Sequence, residues 1–172
     1  MFQSFALIFA LFFGILLPFQ SSHAVPKFTR SQAYGDWVLN CAKDTDPKVE
    51  KSESCSLSQK IVTEKGVRIL GVNIVNTPAK KRDQAIFSLP LGFYIPDGVK
   101  VSVDKGRTRR LLVAFCTQQA GCVAQIELDK KFSRELASGK KMKVTLHTVD
   151  RKKQMDFAVS LKGIAAGLRA IK

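Results

Sequence analysis

The chain has 172 residues, with 28 Lys+Arg against 14 Asp+Glu, a formal net charge of +14, and 45% hydrophobic residues. That is one domain's worth of chain. The apolar fraction is ample for a core, which excludes a disordered polycation despite a pI near 9.9 and leaves a folded basic protein.

Residues 1–24 contain no Asp, Glu, Lys or Arg; Phe5 to Leu17 is apolar throughout except Gly14, and Pro18 and Ser22-His23-Ala24 follow. This is the pattern of a secretory signal with small residues at the cleavage positions. The apolar core is short for a spanning helix, which takes about 20 residues. The expected organisation is a signal peptide over 1–24, an N-terminal extension over 25–33 and a single domain over 34–172. The mature chain is expected to have no transmembrane span and to be exported, to the periplasm, the outer membrane or the medium.

Export changes the meaning of Cys41, Cys55, Cys116 and Cys122, because an even set of cysteines in an oxidising compartment pairs as disulfides. Zinc is the competing reading. There is no C-x-x-C, and His147 is the only histidine after the cleavage site, so no metal site and no cofactor are expected.

From Tyr34 onward, apolar residues recur mostly at every second position, the period of a half-buried strand. Nine strands are expected, at about 34–41, 55–62, 68–76, 85–90, 99–104, 111–116, 122–128, 141–149 and 154–160. In the fifth, Val99, Val101 and Val103 alternate with Lys100, Ser102 and Asp104. In the eighth, Met142, Val144 and Leu146 alternate with Lys143, Thr145 and His147. Leu111 to Cys116 is apolar on both faces and suits a central strand. Glu64-Lys65-Gly66, Pro96-Asp97-Gly98 and Lys105-Gly106 are turn signals.

Two segments read as helical. Asp129 can cap a short turn near 129–138 that places Phe132 and Leu136 on one side, with Gly139 as its stop. Near the C-terminus Leu161, Ile164, Leu168 and Ile171 share one helical face, and Gly163 and Gly167 suit close packing of a short terminal helix on the sheet. The expected fold is all-β: an immunoglobulin-like antiparallel β-sandwich of about nine strands, with a closed barrel as the alternative.

If every connection reverses the chain, the loops alternate between two ends of the domain. Cys41 and Cys55 then border one connection, while Cys116 and Cys122 flank another at the opposite end. Cross-pairing would span a strand, roughly 17–20 Å, whereas a disulfide needs Cα atoms within about 7 Å. The expected bonds are Cys41 to Cys55 and Cys116 to Cys122.

The same alternation sorts the charge, since nearly all the basic excess of the connections falls at one end. Lys80, Lys81, Arg82, Lys105, Arg107, Arg109, Arg110, Lys130, Lys131, Arg134, Lys140 and Lys141 would form a basic, anion-binding rim. Such a field attracts anionic surfaces or polymers and weakens as salt rises. Export and disulfides argue against a physiological nucleic-acid partner.

No catalytic set assembles from the sequence. His147 shares a strand face with Lys143 and Thr145 and reads as a solvated residue. Ser138-Gly139-Lys140-Lys141 matches S-x-x-K, but the partner S-D-N and K-T-G strings are absent. Trp37 alternates with Leu39 and Cys41 and reads as a core anchor.

Gly35-Asp36-Trp37-Val38-Leu39-Asn40-Cys41 and Cys55-Ser56-Leu57-Ser58-Gln59 resemble the opening motifs of the invasion-associated locus B family. Leu89-Pro90-Leu91-Gly92 with Ile95-Pro96-Asp97-Gly98-Val99, then Gly121-Cys122, then Ser160-Leu161-Lys162-Gly163 are similar to its later landmarks, in order. Ile164 stands where a Phe commonly follows the late glycine, and the 42–54 connection is longer and more charged than usual. The resemblance implies an exported proteobacterial β-sandwich of the periplasm or outer membrane, linked in some intracellular pathogens to invasion of host cells. It implies no enzymatic activity. Expected partners are anionic envelope or host-surface components (lipopolysaccharide, acidic glycan or lipid) or an envelope protein.

Overall fold

The structure, a computed structural model, describes residues 28–43, 53–77 and 82–171. The expected signal segment lies outside the described residues, as do Lys80 and Lys81. In chain order the strands are β1 (Arg30–Tyr34), β2 (Trp37–Lys43), β3 (Glu53–Val62), β4 (Arg68–Thr77), β5 (Arg82–Leu89), β6 (Val99–Val103), β7 (Arg109–Leu111), β8 (Val113–Thr117), β9 (Gly121–Glu127), β10 (Lys141–His147) and β11 (Gln154–Ser160). Helix α1 (Lys130–Ser138) separates β9 from β10, and α2 (Ile164–Ala170) follows β11.

All strand pairings are antiparallel, and they build two sheets, one ordered β1-β2-β3-β4-β5-β9-β8 and the other β11-β10-β6-β7. The expected β-sandwich stands. The period-two residues account for its interior: Trp37, Leu39, Leu57, Ile74 and Phe87 from the large sheet meet Val99, Val101, Val144, Leu146 and Val159 from the small one, all buried. Among the described residues no helix is long and apolar enough to cross a membrane.

The strand expected at 34–41 begins earlier and is interrupted. β1 starts at Arg30 and returns as β2 through a tight turn at Gly35-Asp36, where Tyr34 lies opposite Trp37. Gly35 has φ +59, and a Cβ there would lie 2.5 Å from the Lys162 carbonyl oxygen. Gly163, at φ +89, returns the constraint, because its Cβ would fall 2.0 Å from the Tyr34 carbonyl oxygen. The first and last glycine motifs of the domain therefore interlock backbone against backbone. The Asp36 N–H donates to the Lys162 carbonyl at 3.1 Å across this contact.

The segment 111–116 is not a central strand. β7 ends at Leu111 as an edge of the small sheet, the chain crosses at Leu112, and β8 continues as an edge of the large sheet. Leu112 and Phe115 are 70% and 54% exposed, so this unbroken apolar run marks a strand that changes sheets. Such switching corners are a known way of closing stacked sheets.

Alternation of the loops holds within the large sheet and places the two disulfides at its opposite ends. Cys41 lies directly opposite Cys55 on β2 and β3, and Cys116 opposite Cys122 on β8 and β9. The bonds are Cys41–Cys55 and Cys116–Cys122, as the spacing predicts. The alternation does not extend to both sheets as one pair of poles. The end of β11 meets the start of β2, where the Trp37 indole N–H donates to the Ser160 carbonyl at 2.9 Å. Strand ends of opposite sense thus share a corner.

Both helices form where expected. Asp129 caps α1 by accepting the Phe132 N–H at 2.6 Å, and Phe132 and Leu136 are buried beneath it. Gly139 ends the helix without a left-handed residue, at φ −76; it is required because a Cβ would meet a Val103 methyl at 2.3 Å. Gly167 lets α2 lie against Leu57, where a Cβ would come within 2.6 Å of its methyl carbons.

Candidate anion-binding surface

The turn between β6 and β7 is locked to the start of β10 by one carboxylate. Asp104, held at φ +47, accepts the backbone N–H groups of Lys140 and Lys141, each at 3.0 Å, while its own N–H donates to the Lys141 carbonyl at 2.9 Å. The two N–H donors hold the Asp104 carboxyl below its usual range. This clamp brings Lys105 beside Lys141 and its neighbour Lys140, and these three and Arg107, further along the same turn, are exposed.

Helix α1 joins the same group. Lys130, Lys131 and Arg134 face solvent opposite the buried Phe132 and Leu136. None of Lys105, Arg107, Lys130, Lys131, Arg134, Lys140 and Lys141 makes an ion pair among the described residues. Of Arg82 only the backbone is placed, opposite Thr77, and the neighbouring Asp83 carbonyl accepts the Leu128 N–H at 2.9 Å. The start of β5 therefore abuts the chain leading into α1.

Arg109 and Arg110 part company because adjacent strand residues face opposite ways. Arg109 turns toward α1, pairing with Glu135 at 2.7 Å and lying 4.1 Å over the Phe132 ring. Its side chain is 12% exposed, so this cation holds the helix to the sheet. Arg110 turns to the outer side of the small sheet and donates to the carbonyls of Pro96 and Asp97, at 2.6 and 2.9 Å.

The Arg109 bond holds the Glu135 carboxyl below its ordinary value. A carboxyl depressed in the folded state contributes stability that is fully present above its unfolded pKa, about 4.3, and is lost as pH falls through the folded one. Arg109→Met should therefore cost about 2 kcal/mol at neutral pH. It should also flatten the acid limb. Urea midpoints between about pH 6 and pH 3 check both, with the variant converging on the parent at the acid end.

His147 is not the solvated residue its strand position suggests. Its Nδ1 lies 3.1 Å from Asp97 Oδ2, and Arg151 Nε approaches the same oxygen at 3.5 Å. Lys100, Lys143 and Arg151 are further cations on this side of the small sheet, outside the rim expected from the sequence. The alternation in β6 and β10 marks Lys100 and Lys143 as outward-facing, but only the register, with Lys100 opposite Thr145 and Arg110, shows that they are neighbours.

The arrangement nearest to a metal ligand set among the described residues is Cys41, Glu53 and Cys55. Both sulfurs are consumed in a disulfide and offer no thiolate. The fold and surface together define a class, a basic, disulfide-pinned β-sandwich of a chain that folds where thiols oxidise. Residues 37–172 match the sequence model of a family described as Invasion associated locus B (IalB) protein, and the chain belongs to that family. The crystal structure of invasion associated protein B from Bartonella henselae has the same fold, with a TM-score of 0.72 at 21% identity over 83% of this chain and 95% of that one. No curated protein sequence matches the chain.

Proposed function

We propose that this protein is an exported, non-enzymatic envelope protein of the invasion-associated type whose basic rim contacts anionic envelope or host-surface components. Lipopolysaccharide, acidic glycans and acidic lipids share the required chemistry. The supporting observation is the group of exposed cations around the Asp104 clamp and α1 that have no ion-pair partner among the described residues. Lys130 and Lys131 add to this reading, because they occupy the first turn of α1, where the helix dipole disfavours positive charge by about 0.3–1 kcal/mol each. Local stability is given up there while the positive potential is raised.

Charge reversal of Lys105, Arg107, Lys140 and Lys141 to Glu tests the reading. Retention of the oxidised protein on heparin or phosphatidylglycerol vesicles should weaken as salt rises, and the variant should lose at least tenfold in affinity. Unchanged retention overturns the rim.

A second reading, a structural or stress-related periplasmic protein acting through a protein partner, is favoured by one apolar patch. Leu91, Ile95 and Val149 are 51%, 46% and 64% exposed, and the bridge between Phe93 and Thr148 draws their two turns together. Phe93 itself is buried, so the patch is aliphatic. Crosslinking in intact cells to one dominant protein, lost on Ile95→Asp, is the result expected on this reading alone.

A further inference from the structure

Three adjoining depressions follow one another along the outer face of the small sheet. The first, about 280 Å³, is lined by Asp97, Lys100, Arg110, His147 and Arg151. The second, about 100 Å³, shares Lys100 with the first and has Ser102, Thr108, Thr145 and Gln154 around it. The third, about 410 Å³, shares Lys143 with the second and reaches Lys105 and Lys141 beside Asp104 and Asp156. The shared lysines join them into one path along β10, whose strand length is roughly 20 Å.

Charge along this path is unequal. Lys100, Lys105, Arg110, Lys141, Lys143 and Arg151 face only Asp97, Asp104 and Asp156. Each carboxylate is already engaged, Asp97 by His147 and Arg151, Asp104 by two backbone N–H groups, and Asp156 by the Thr145 hydroxyl and the Gln154 amide. Among the described residues Lys100 has no ion-pair partner. Lys143 reaches Asp156 only at 3.9 Å with its side chain 53% exposed, a pairing that water screens and a ligand displaces.

One end is pre-organised. Two carbonyls fix the Arg110 guanidinium. Arg151 lies 5.2 Å over the Tyr94 ring and is held at φ +59 by a turn in which its N–H donates to the Thr148 carbonyl at 2.8 Å. Two guanidiniums and one ammonium around a small pocket suit a sulfate or carboxylate group, which accepts several charge-assisted bonds at once. The exposed Thr108 hydroxyl and Gln154 side-chain amide at the middle depression suit sugar hydroxyls, which both donate and accept.

We propose that this groove holds a linear acidic glycan, with one anionic group seated among Lys100, Arg110 and Arg151. The proposal rests on the anion-binding reading and narrows it to one face and one ligand class. Two variants test it in the full oxidised protein, with heparin oligosaccharides of defined length and phosphatidylglycerol vesicles as probes. Lys100→Glu with Lys143→Glu reverses charge at surface positions. Arg151→Gly removes a guanidinium where glycine relieves the positive φ, which offsets the lost contacts to Tyr94 and Asp97, so the variant should stay folded.

The double variant should lose at least tenfold in heparin affinity and Arg151→Gly several-fold, with each variant still unfolding cooperatively as a folded domain. Affinity of the parent should rise with oligosaccharide length until the groove is spanned. Full heparin binding by both groove variants, alongside loss in the rim variant, overturns the groove and leaves the rim standing. Equal loss of vesicle and heparin binding in the groove variants makes the partner a membrane surface and overturns the glycan. A parent that binds vesicles but not heparin does the same. A parent that binds neither overturns the anion-binding reading itself.

Discussion

Replacing Trp37 by Ala should lower stability by about 3–5 kcal/mol, more than any other single truncation in the domain. Trp37 is fully buried at the start of β2 and reaches across to the second sheet, where its indole N–H holds the Ser160 carbonyl. Gln59, buried on β3, belongs to the same network. It donates to the carbonyls of Asp36 and Ser160 at 2.9 and 3.2 Å, and its own oxygen accepts the Ser160 N–H at 3.1 Å. The truncation therefore opens a large cavity and removes one of two donors from a buried carbonyl, while Gln59 keeps the other. Trp37→Phe separates the two effects, since it retains most of the volume and loses the donor, and should cost about 1–2 kcal/mol. Urea unfolding with an unchanged m-value checks both. A loss below about 1.5 kcal/mol for the Ala variant would mean that the corner is held by the glycine interlock instead.

That corner shows how much of the fold is legible in the chain. Burial of Trp37, Leu39 and Cys41 follows from their period-two spacing, and α1 follows from Asp129, Phe132, Leu136 and Gly139 in helical order. Both disulfides follow from loop alternation inside one sheet, where sequence neighbours are also spatial neighbours. What periodicity does not carry is the relation between sheets. Nothing in Leu111 to Cys116 distinguishes a buried central strand from one that changes sheets at Leu112, because both read as an unbroken apolar run. The contact of Gly35 with Gly163 joins residues at opposite ends of the domain, and no local rule pairs them.

The candidate surface divides along the same line. Lysines in loops and on α1 are recognisable as exposed from their neighbours. The occupied state of Arg109 and the groove along β10 depend on which residue lies across from which. Arg109 and Arg110 look equivalent in sequence, yet one closes on Glu135 beneath the helix and the other faces the groove. A rim drawn from loop positions alone therefore includes a cation that is consumed internally and omits Lys100, Lys143 and Arg151.

The second large effect is expected from Cys41→Ala with Cys55→Ala. The bond joins residues with a sequence separation of 14, a loop for which the chain-entropy model gives about 3 kcal/mol. For a domain of this size that lowers the melting temperature by roughly 10 °C. Cys116–Cys122 has a separation of 6, so its removal should cost less, about 2–2.5 kcal/mol. The smaller loss should nevertheless have the larger effect on solubility. Cys116 lies on β8, an edge strand that exposes Phe115, and the bond to Cys122 pins that edge to β9. A released apolar edge is a template for pairing with other chains. Thermal unfolding followed by circular dichroism and light scattering should show the first variant melting earlier but staying clear, and the second melting later but scattering. The reverse order of melting would show that loop entropy does not govern these bonds, and equal scattering would show that β8 is held by its hydrogen bonds to β9 without help from the disulfide.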